Sequence, residues 1–288
     1  MTSPNDSRLL SGIKIVSVAL NAPGPVAAAR LAQMGAEVTK VEPPGGDATR
    51  IAAPAWYASL CRGQTVLQID LKNPAGRAQF DDLLAQAELL LASFRPSALQ
   101  RLGLDWQSLH RRHPRLSFVG IIGHLPPHEE SSGHDLTYQA DFGLLRPPEM
   151  PATLFVDLAG AERAVSMALA LLNKAARTGE SGCAWVSLHE CARELAAPIE
   201  AGLTVPGGLL GGGYSLYGFY RSSDGWIAVA ALEAHFAQRL LLELELKTAE
   251  RTQLERIFLQ RSSAAWASWA AERDLPLVAV RASNQNKL

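Results

Sequence analysis

The sequence predicts an α/β protein with a doubly wound, mainly parallel large domain and a smaller α+β domain. Two observations predict this class. Short apolar runs alternate with helical patterns from residue 13 to residue 122. A run with five glycines in eight residues, at 206–213, precedes a C-terminal region in which a strand pattern is followed by two helical patterns. Alternation of strand and helix is typical of parallel sheets, because each pair of parallel strands needs a crossover connection.

The first elements form a βαβ unit. Residues 13–20 are an apolar run that predicts a buried strand, and the prolines and glycine that follow end it. The alanine-rich segment 26–34 predicts a helix that ends at Gly35, and residues 37–42 predict a second strand. Strand, helix and strand within about thirty residues indicate a right-handed, parallel unit.

The alternation continues and completes a Rossmann-like large domain. Strands are predicted at 65–71, 89–94 and 116–122, and helices at 73–86, 96–102 and 106–112. In such sheets the ligand lies at the carboxyl ends of the strands. The site is therefore expected among the segments that follow the strands, which are 21–25, 43–47, 94–97 and 123–135.

The boundary between the domains is predicted near residue 200. An apolar helix at 159–176, a strand at 183–188 and a helix beginning at 189–195 complete the large domain, residues 1–200. The small domain, residues 201–288, follows with a strand at 226–231 and helices at 234–246 and 263–272. This mixture is typical of a small α+β domain.

Composition excludes several classes of function. The formal net charge is −1, so no general basic field attracts nucleic acid or an anionic membrane surface. No apolar run is long enough to span a bilayer and the first ten residues lack a signal-peptide core, so a cytoplasmic location is expected. The three cysteines lack metal-ligand spacing, and His124, His128 and His134 in a proline-rich loop do not favour a metal site either.

His134 and Asp157 are the strongest candidates for chemistry, because they offer an imidazole and a carboxylate as two separate proton carriers. An acid and a base on opposite faces of a carbon can remove a proton from one side and return it on the other. A histidine titrates near neutrality, and Asp157, at the N-terminal edge of a helix, is expected to stay ionised through the helix dipole. A carboxylate can instead attack an acyl carbonyl, and the residues alone leave both reactions open.

Several motifs together resemble the class III CoA-transferase family. Residues 35–47, GAEVTKVEPPGGD, are close to the family pattern GA[DE]VxKVEPPGGD, and residues 133–135, GHD, match the GHDINY of its racemases. Residues 94–96, FRP, and 220–225, YRSSDG, are similar to NFRPG and YRTADG. The resemblance covers nearly the whole chain in the right order, but residues 61–65, CRGQT, lack two cations of the family's NRGKR.

The resemblance implies an enzyme that acts on an acyl-CoA thioester. In the racemase form, a 1,1-proton transfer at the α-carbon, it assigns His134 and Asp157 to the two proton transfers and Glu233 to closing the site of a partner subunit. In the transferase form, Asp157 is the nucleophile and coenzyme A passes between carboxylic acids through an aspartyl-CoA thioester. The match at His134 favours the racemase form. A CoA-binding protein without turnover is a further alternative, motivated by the lost cations.

The resemblance also implies how coenzyme A is bound. It enters as part of the substrate, without a tightly bound cofactor, and its phosphates need cations and backbone donors. The residues in matching segments are Lys40, Arg62, Lys72 and Arg95 for the coenzyme, with Asp135 and Tyr138 orienting the imidazole or bonding the thioester. A homodimer is expected. Its interlocking is left open, since the small domain is expected to lack the family's C-terminal return segment.

Overall fold

The computed structural model of the chain describes residues 8–281. Contacts divide the chain into two compact units, Met1–Ala196 and Ala197–Leu288. This division lies close to the predicted boundary near residue 200. The assignment of the units to coenzyme binding and to a smaller accessory domain stays a prediction.

The larger unit has a six-stranded sheet and helices packed on it. The strands are β1 (Lys14–Ser17), β2 (Glu37–Glu42), β3 (Thr65–Gln68), β4 (Leu89–Ala92), β5 (Ser117–Ile122) and β6 (Cys183–Ser187). The helices are α1 (Pro23–Gln33), α2 (Thr49–Ala52), α3 (Pro54–Leu60), α4 (Pro74–Ala85), α5 (Pro96–Arg101), α6 (Trp106–Arg112), α7 (Asp135–Asp141), α8 (Phe155–Thr178) and α9 (Leu188–Glu200), the last of which begins in this unit. No helix among the described residues is long and apolar enough to cross a membrane.

The strand order is β3-β2-β1-β4-β5-β6, and every neighbouring pair is parallel. This order confirms the predicted doubly wound α/β class. The direction of winding reverses between β1 and β4, and a crevice forms outside the carboxyl ends of the strands at such a point. The fold therefore indicates where a ligand binds.

The central strands β4 and β5 are buried on both faces, which explains why they are mainly apolar runs. In β4, Leu89 and Leu91 pack in a core with helices α1 and α8, whereas Leu90 and Ala92 pack in the core on the other face. On α8, the fully buried Ala161, Ala164 and Ala168 belong to the first core, and such small side chains permit close packing. The core thereby fixes the position of α8, including its first turn.

In its described residues, the smaller unit has an antiparallel sheet and three helices. Its strands are β7 (Tyr217–Arg221), β8 (Trp226–Ala230) and β9 (Leu277–Ala279), and its helices are α10 (Ala234–Glu243), α11 (Arg251–Phe258) and α12 (Ser263–Ala271), preceded by a glycine-rich turn at Leu209–Gly213. Tyr220, Leu254 and Trp266 lie in its core, where the Trp266 indole N–H donates to the Phe258 carbonyl at 2.8 Å. The predicted strand and two of these helices are confirmed, with small shifts at their ends.

Candidate active site

A cleft of about 270 Å³ lies at the carboxyl ends of β1, β4 and β5, next to the reversal of strand order. Its walls include Leu20 and Asn21 after β1, Ser93 and Arg95 after β4, and Gly123 after β5. The Ser93 hydroxyl donates to the Leu20 carbonyl at 3.1 Å and accepts from the Leu20 N–H at 2.9 Å. One side chain thus joins the ends of the two strands between which a doubly wound sheet binds its ligand.

His134 lines this cleft from the start of helix α7. It is the residue before the helix, with extended backbone angles, and its N–H donates to the Thr137 hydroxyl at 3.0 Å. That hydroxyl in turn donates to the His134 carbonyl at 2.8 Å. These bonds hold the backbone of the helix start, and the exposed His134 side chain faces the cleft.

Asp157 lines the same cleft from the first turn of helix α8. Partial burial of its carboxyl, with the negative charge of Asp135 as a second cause, raises its pKa to about 7. The expectation that the helix dipole keeps Asp157 ionised is therefore wrong. The dipole of the first turn acts on another carboxylate, because the N–H groups there donate to Asp135.

Asp135 is buried behind the cleft, with 4% of its surface exposed. Its Oδ1 accepts from the N–H of Val156 at 2.8 Å and of Asp157 at 3.0 Å, and Gln139 donates to its Oδ2. Because the carboxylate is buried and both of its oxygens already accept hydrogen bonds, the prediction that its side chain contacts the thioester is wrong. That Asp135 orients the imidazole of His134 stays a prediction.

Tyr138 brings its hydroxyl to the cleft while its ring is buried. A Cβ atom at Gly123 would lie 2.4 Å from the hydroxyl oxygen, and one at Gly133 would lie 2.5 Å from the ring. Both positions need glycine to make room for the phenol. Burial and then the charge of Asp157 raise the pKa of this phenol, against the opposing effect of Arg95. At neutral pH Tyr138 is therefore a hydrogen-bond donor.

Arg95 supplies a positive charge to the cleft. Its side chain is exposed and lines the wall just before helix α5. The loop opposite is tied to that helix, because Glu130 accepts from the Ser97 N–H and from the Ser97 hydroxyl, both at 2.8 Å. These bonds and the nearby Arg95 lower the pKa of Glu130.

A second, mainly apolar cavity of about 210 Å³ adjoins the first and shares Leu20 and Phe94 with it. It lies beyond the ends of β2 and β3, where Pro44 and Ile69 form part of its wall. The exposed Lys72 lines it. Glu42 and Asp70 are the other charged residues in its lining, and a mainly apolar cavity of this kind fits an apolar group of a ligand.

Lys40 is placed differently from its prediction. Only 1% of its side chain is exposed, and Nζ lies 2.7 Å from both Glu42 Oε1 and Asp47 Oδ2 and 4.7 Å from the ring centre of Tyr57. Lys40 is buried and lines neither cavity, so the prediction that it binds coenzyme phosphates is wrong. It holds the loop after β2 instead, since both carboxylates are nearly as buried as the ammonium group.

Replacing this buried cation tests that structural role. In Lys40→Met we expect the free energy of unfolding to fall by about 3–5 kcal/mol, because Glu42 and Asp47 would be left without a positive partner. Lys14→Met, which removes an exposed lysine from β1, should change it by less than about 0.5 kcal/mol. Urea denaturation at pH 7 measures both, and equal stabilities would contradict the assignment.

Arg62 and Glu233 lie outside these two cavities. Arg62 is exposed between α3 and β3 and lines neither the cleft nor the apolar cavity. Glu233 is exposed immediately before α10 in the smaller unit. Their roles in coenzyme binding and in closing a partner's site stay predictions.

Residues 10–286 match the sequence model of one protein family, CoA-transferase family III. The chain belongs to this family. Alpha-methylacyl-CoA racemase from Homo sapiens is 32% identical over 266 residues, covering 84% of this chain and 66% of the racemase. Succinate–glutarate CoA-transferase from Agrobacterium fabrum is 32% identical over 200 residues, covering 62% of this chain and 50% of the transferase. The chain thus spans about half to two thirds of the length of these relatives.

The fold of this family III chain also has close counterparts among solved structures. The crystal structure of a hypothetical protein from Mycobacterium tuberculosis superimposes with a TM-score of 0.82 at 23% identity, covering 97% of this chain and 87% of that one. The family resemblance seen in the sequence is confirmed. The named relatives include both a racemase and CoA-transferases, so membership alone leaves the reaction open.

Proposed function

We propose that this family III chain inverts the α-carbon of an acyl-CoA thioester by 1,1-proton transfer, as its racemase relative is named to do. One observation carries the proposal: His134 and Asp157 line a single cleft at the switch point of the sheet. A carboxyl group with a pKa of about 7 is present in both protonation states near neutral pH. It can therefore accept a proton in one direction of the reaction and donate one in the other.

The proposed reaction needs one deprotonated and one protonated carrier. The deprotonated carrier takes the α-proton, and the electron pair of the C–H bond moves onto the thioester oxygen as an enolate. The other carrier then gives its proton to the opposite face of the α-carbon, so the thioester is re-formed with inverted configuration. Hydrogen-bond donors around the cleft, such as the Tyr138 hydroxyl and the Arg95 guanidinium, would stabilise the enolate oxygen.

The transferase reaction is the second candidate, favoured by the relatives named as CoA-transferases. Asp157 would then attack the acyl-CoA carbonyl. A nucleophilic carboxylate acts in its ionised form, and a pKa of about 7 leaves a large part of Asp157 protonated at neutral pH. The imidazole of His134 in the same cleft, a second proton carrier, is what favours the racemase reaction.

We further propose that the coenzyme occupies the apolar cavity beside the cleft, with Lys72 at a phosphate. We expect Lys72→Met to raise KM for acyl-CoA by roughly three- to tenfold at unchanged kcat, because a contact present in both substrate and transition state affects binding alone. Lys14→Met is the matched control. Initial rates over a range of acyl-CoA concentrations measure both constants, and a fall in kcat at constant KM would contradict this placement.

Isotope exchange tests the reaction itself. The protein is incubated in deuterated water with a small panel of 2-methylacyl-CoA and straight-chain acyl-CoA thioesters, and uptake at the α-carbon is read by mass spectrometry. For a 2-methylacyl-CoA, which has one α-proton on a stereogenic carbon, the proposal predicts uptake of one deuterium together with loss of optical purity. Hydroxylamine trapping of Asp157 in the presence of acyl-CoA, without α-deuterium, would favour the transferase. Tight binding with neither signal would leave a binding protein without turnover.

The partners follow from this reaction as proposals. The substrate is an acyl-CoA thioester, and coenzyme A enters and leaves with it. A homodimer, with Glu233 at the site of the partner subunit, is the expected assembly. Gel filtration with light scattering measures its mass, and a monomer with full activity would reject the role of Glu233.

A further inference from the structure

The starts of helices α7 and α8 are joined by one buried carboxylate. His134 stands immediately before α7, and Asp135 is the first residue of that helix. Its Oδ1 accepts from the N–H groups of Val156 and Asp157 in the first turn of α8. The two candidate proton carriers therefore belong to chain segments that a single side chain holds together.

This contact replaces the cap that α8 lacks in its own sequence. The residue before α8 is Leu154, whose side chain accepts no hydrogen bond. The N–H groups of a first helical turn need acceptors, and Asp135 supplies one from another helix. Gln139, one turn along α7, donates to Oδ2, so the carboxylate is held on both sides. Charge-assisted bonds of this kind are strong and directional.

We infer that Asp135 is a positioning residue, which sets the spacing between His134 and Asp157 and places its negative charge behind the Asp157 carboxyl. The effect of Asp135 on proton transfer rests on the proposed function. Its hydrogen bonds to α8 and its effect on the pKa of Asp157 can be tested in protein that shows no turnover. A shift of about 1 Å in a reacting group can lower a rate a hundredfold. A cap from another helix is thus a sensible way to hold a two-carrier site.

The charge of Asp135 affects the pKa of Asp157, which shares the cleft with other titratable groups. The titratable and charged groups that line the cleft with Asp157 are Tyr138 from α7, His134 before it, and Arg95 before α5, and Asp135 acts on Asp157 from behind the cleft. Asp135 adds to the effect of burial in raising the pKa of Asp157. Removing its charge should lower that pKa while burial still acts on it.

The first test uses no substrate. In protein labelled with carbon-13 at the aspartate carboxyl, the Asp157 signal is assigned with Asp157→Asn and titrated by NMR. We expect a midpoint near 7 that falls by about one pH unit in Asp135→Asn. Asp141→Asn, which changes an exposed aspartate at the end of the same helix, should leave it in place. An unchanged midpoint in Asp135→Asn would overturn the electrostatic part of the inference.

The second test separates position from charge. Asparagine keeps an oxygen for the N–H groups of Val156 and Asp157, whereas Asp135→Ala removes it. We expect hydrogen exchange of these two amides to rise at least about tenfold in the alanine variant and much less in Asp135→Asn, since a lost bond of about 1.4 kcal/mol corresponds to tenfold. Equal protection in wild type and Asp135→Ala would overturn the positioning role. If the alanine variant does not fold, the titration of Asp135→Asn still decides the electrostatic part of the inference.

Activity gives the third test and distinguishes the two proposals. We expect the acidic limb of the pH profile for kcat/KM to move to lower pH in Asp135→Asn, with KM little changed. A merely structural role would lower the active fraction without moving the profile. If wild type shows no α-proton exchange with any acyl-CoA, the proposed function fails, while the titration and the amide exchange still decide the role of Asp135.

Discussion

Asp157→Asn should lower the rate of inversion at the α-carbon by about 10²–10⁴, the usual contribution of one general acid or base. The amide has nearly the shape of the carboxyl group but can neither accept nor donate the proton in the reaction. Glu162→Gln is the matched control, since Glu162 lies on the same helix and pairs with Arg30 away from the cleft. Rates of interconversion of the two enantiomers measure the effect. Interconversion within twofold of wild type would exclude Asp157 as a proton carrier.

The same variant should be more stable than the wild-type protein at high pH. The pKa of Asp157 is raised from 3.8 to about 7 by folding, so the ionised form is disfavoured in the folded state. The stability that this group contributes is complete below pH 3.8 and is lost as the pH rises through 7. At pH 8 we expect Asp157→Asn to be more stable by on the order of 1–2 kcal/mol, allowing for solvent screening in the cleft. The gain should shrink as the pH falls towards 4, and urea denaturation follows it.

His134→Gln should lower the rate of inversion by a similar factor, about 10²–10⁴. Its side chain lines the cleft from the residue before α7, and glutamine preserves polarity and much of the length while removing the imidazole ring. Because the helix start is held by the backbone N–H of His134 and by Thr137, the variant should keep its fold. Circular dichroism and the unfolding midpoint check this.

The control for His134 lies in the same loop. His128 is exposed and does not line the cleft, so His128→Gln should retain exchange within about twofold, the scale of an ordinary surface change. Equal losses in both variants would indicate a general effect on the loop. Full activity in His134→Gln would remove the imidazole from the reaction.

Much of the fold was predictable because the central strands of the sheet are buried on both faces. Strands such as β4, with no exposed residue from Leu89 to Ala92, can only be apolar runs, and glycine or proline ends them. Helix α7 was missed because its inward positions include the buried polar residues Asp135 and Gln139, which hide the apolar periodicity. Helix α11 was missed because it buries only Leu254 and Phe258. The three-residue strand β9 is too short for a pattern.

The candidate site was predictable in part. The reversal of strand order brings the segments after β1, β4 and β5 together, so a cleft near Arg95 and His134 follows from the topology. The burial of Lys40 could not be predicted from the sequence, because its partner Asp47 comes from a loop whose path the sequence does not define. The raised pKa of Asp157 was also missed, since it depends on burial and on a carboxylate 22 residues earlier in the chain.

The stereochemistry of exchange tests the two-carrier account most directly. Each pure enantiomer of a 2-methylacyl-CoA is offered in deuterated water to the variants Asp157→Asn and His134→Gln. The carrier that remains faces one side of the α-carbon, so each variant should exchange the proton of one enantiomer without inverting it, and the two variants should prefer opposite enantiomers. If both variants exchange the same enantiomer, or both still interconvert the two, His134 and Asp157 do not act from opposite faces.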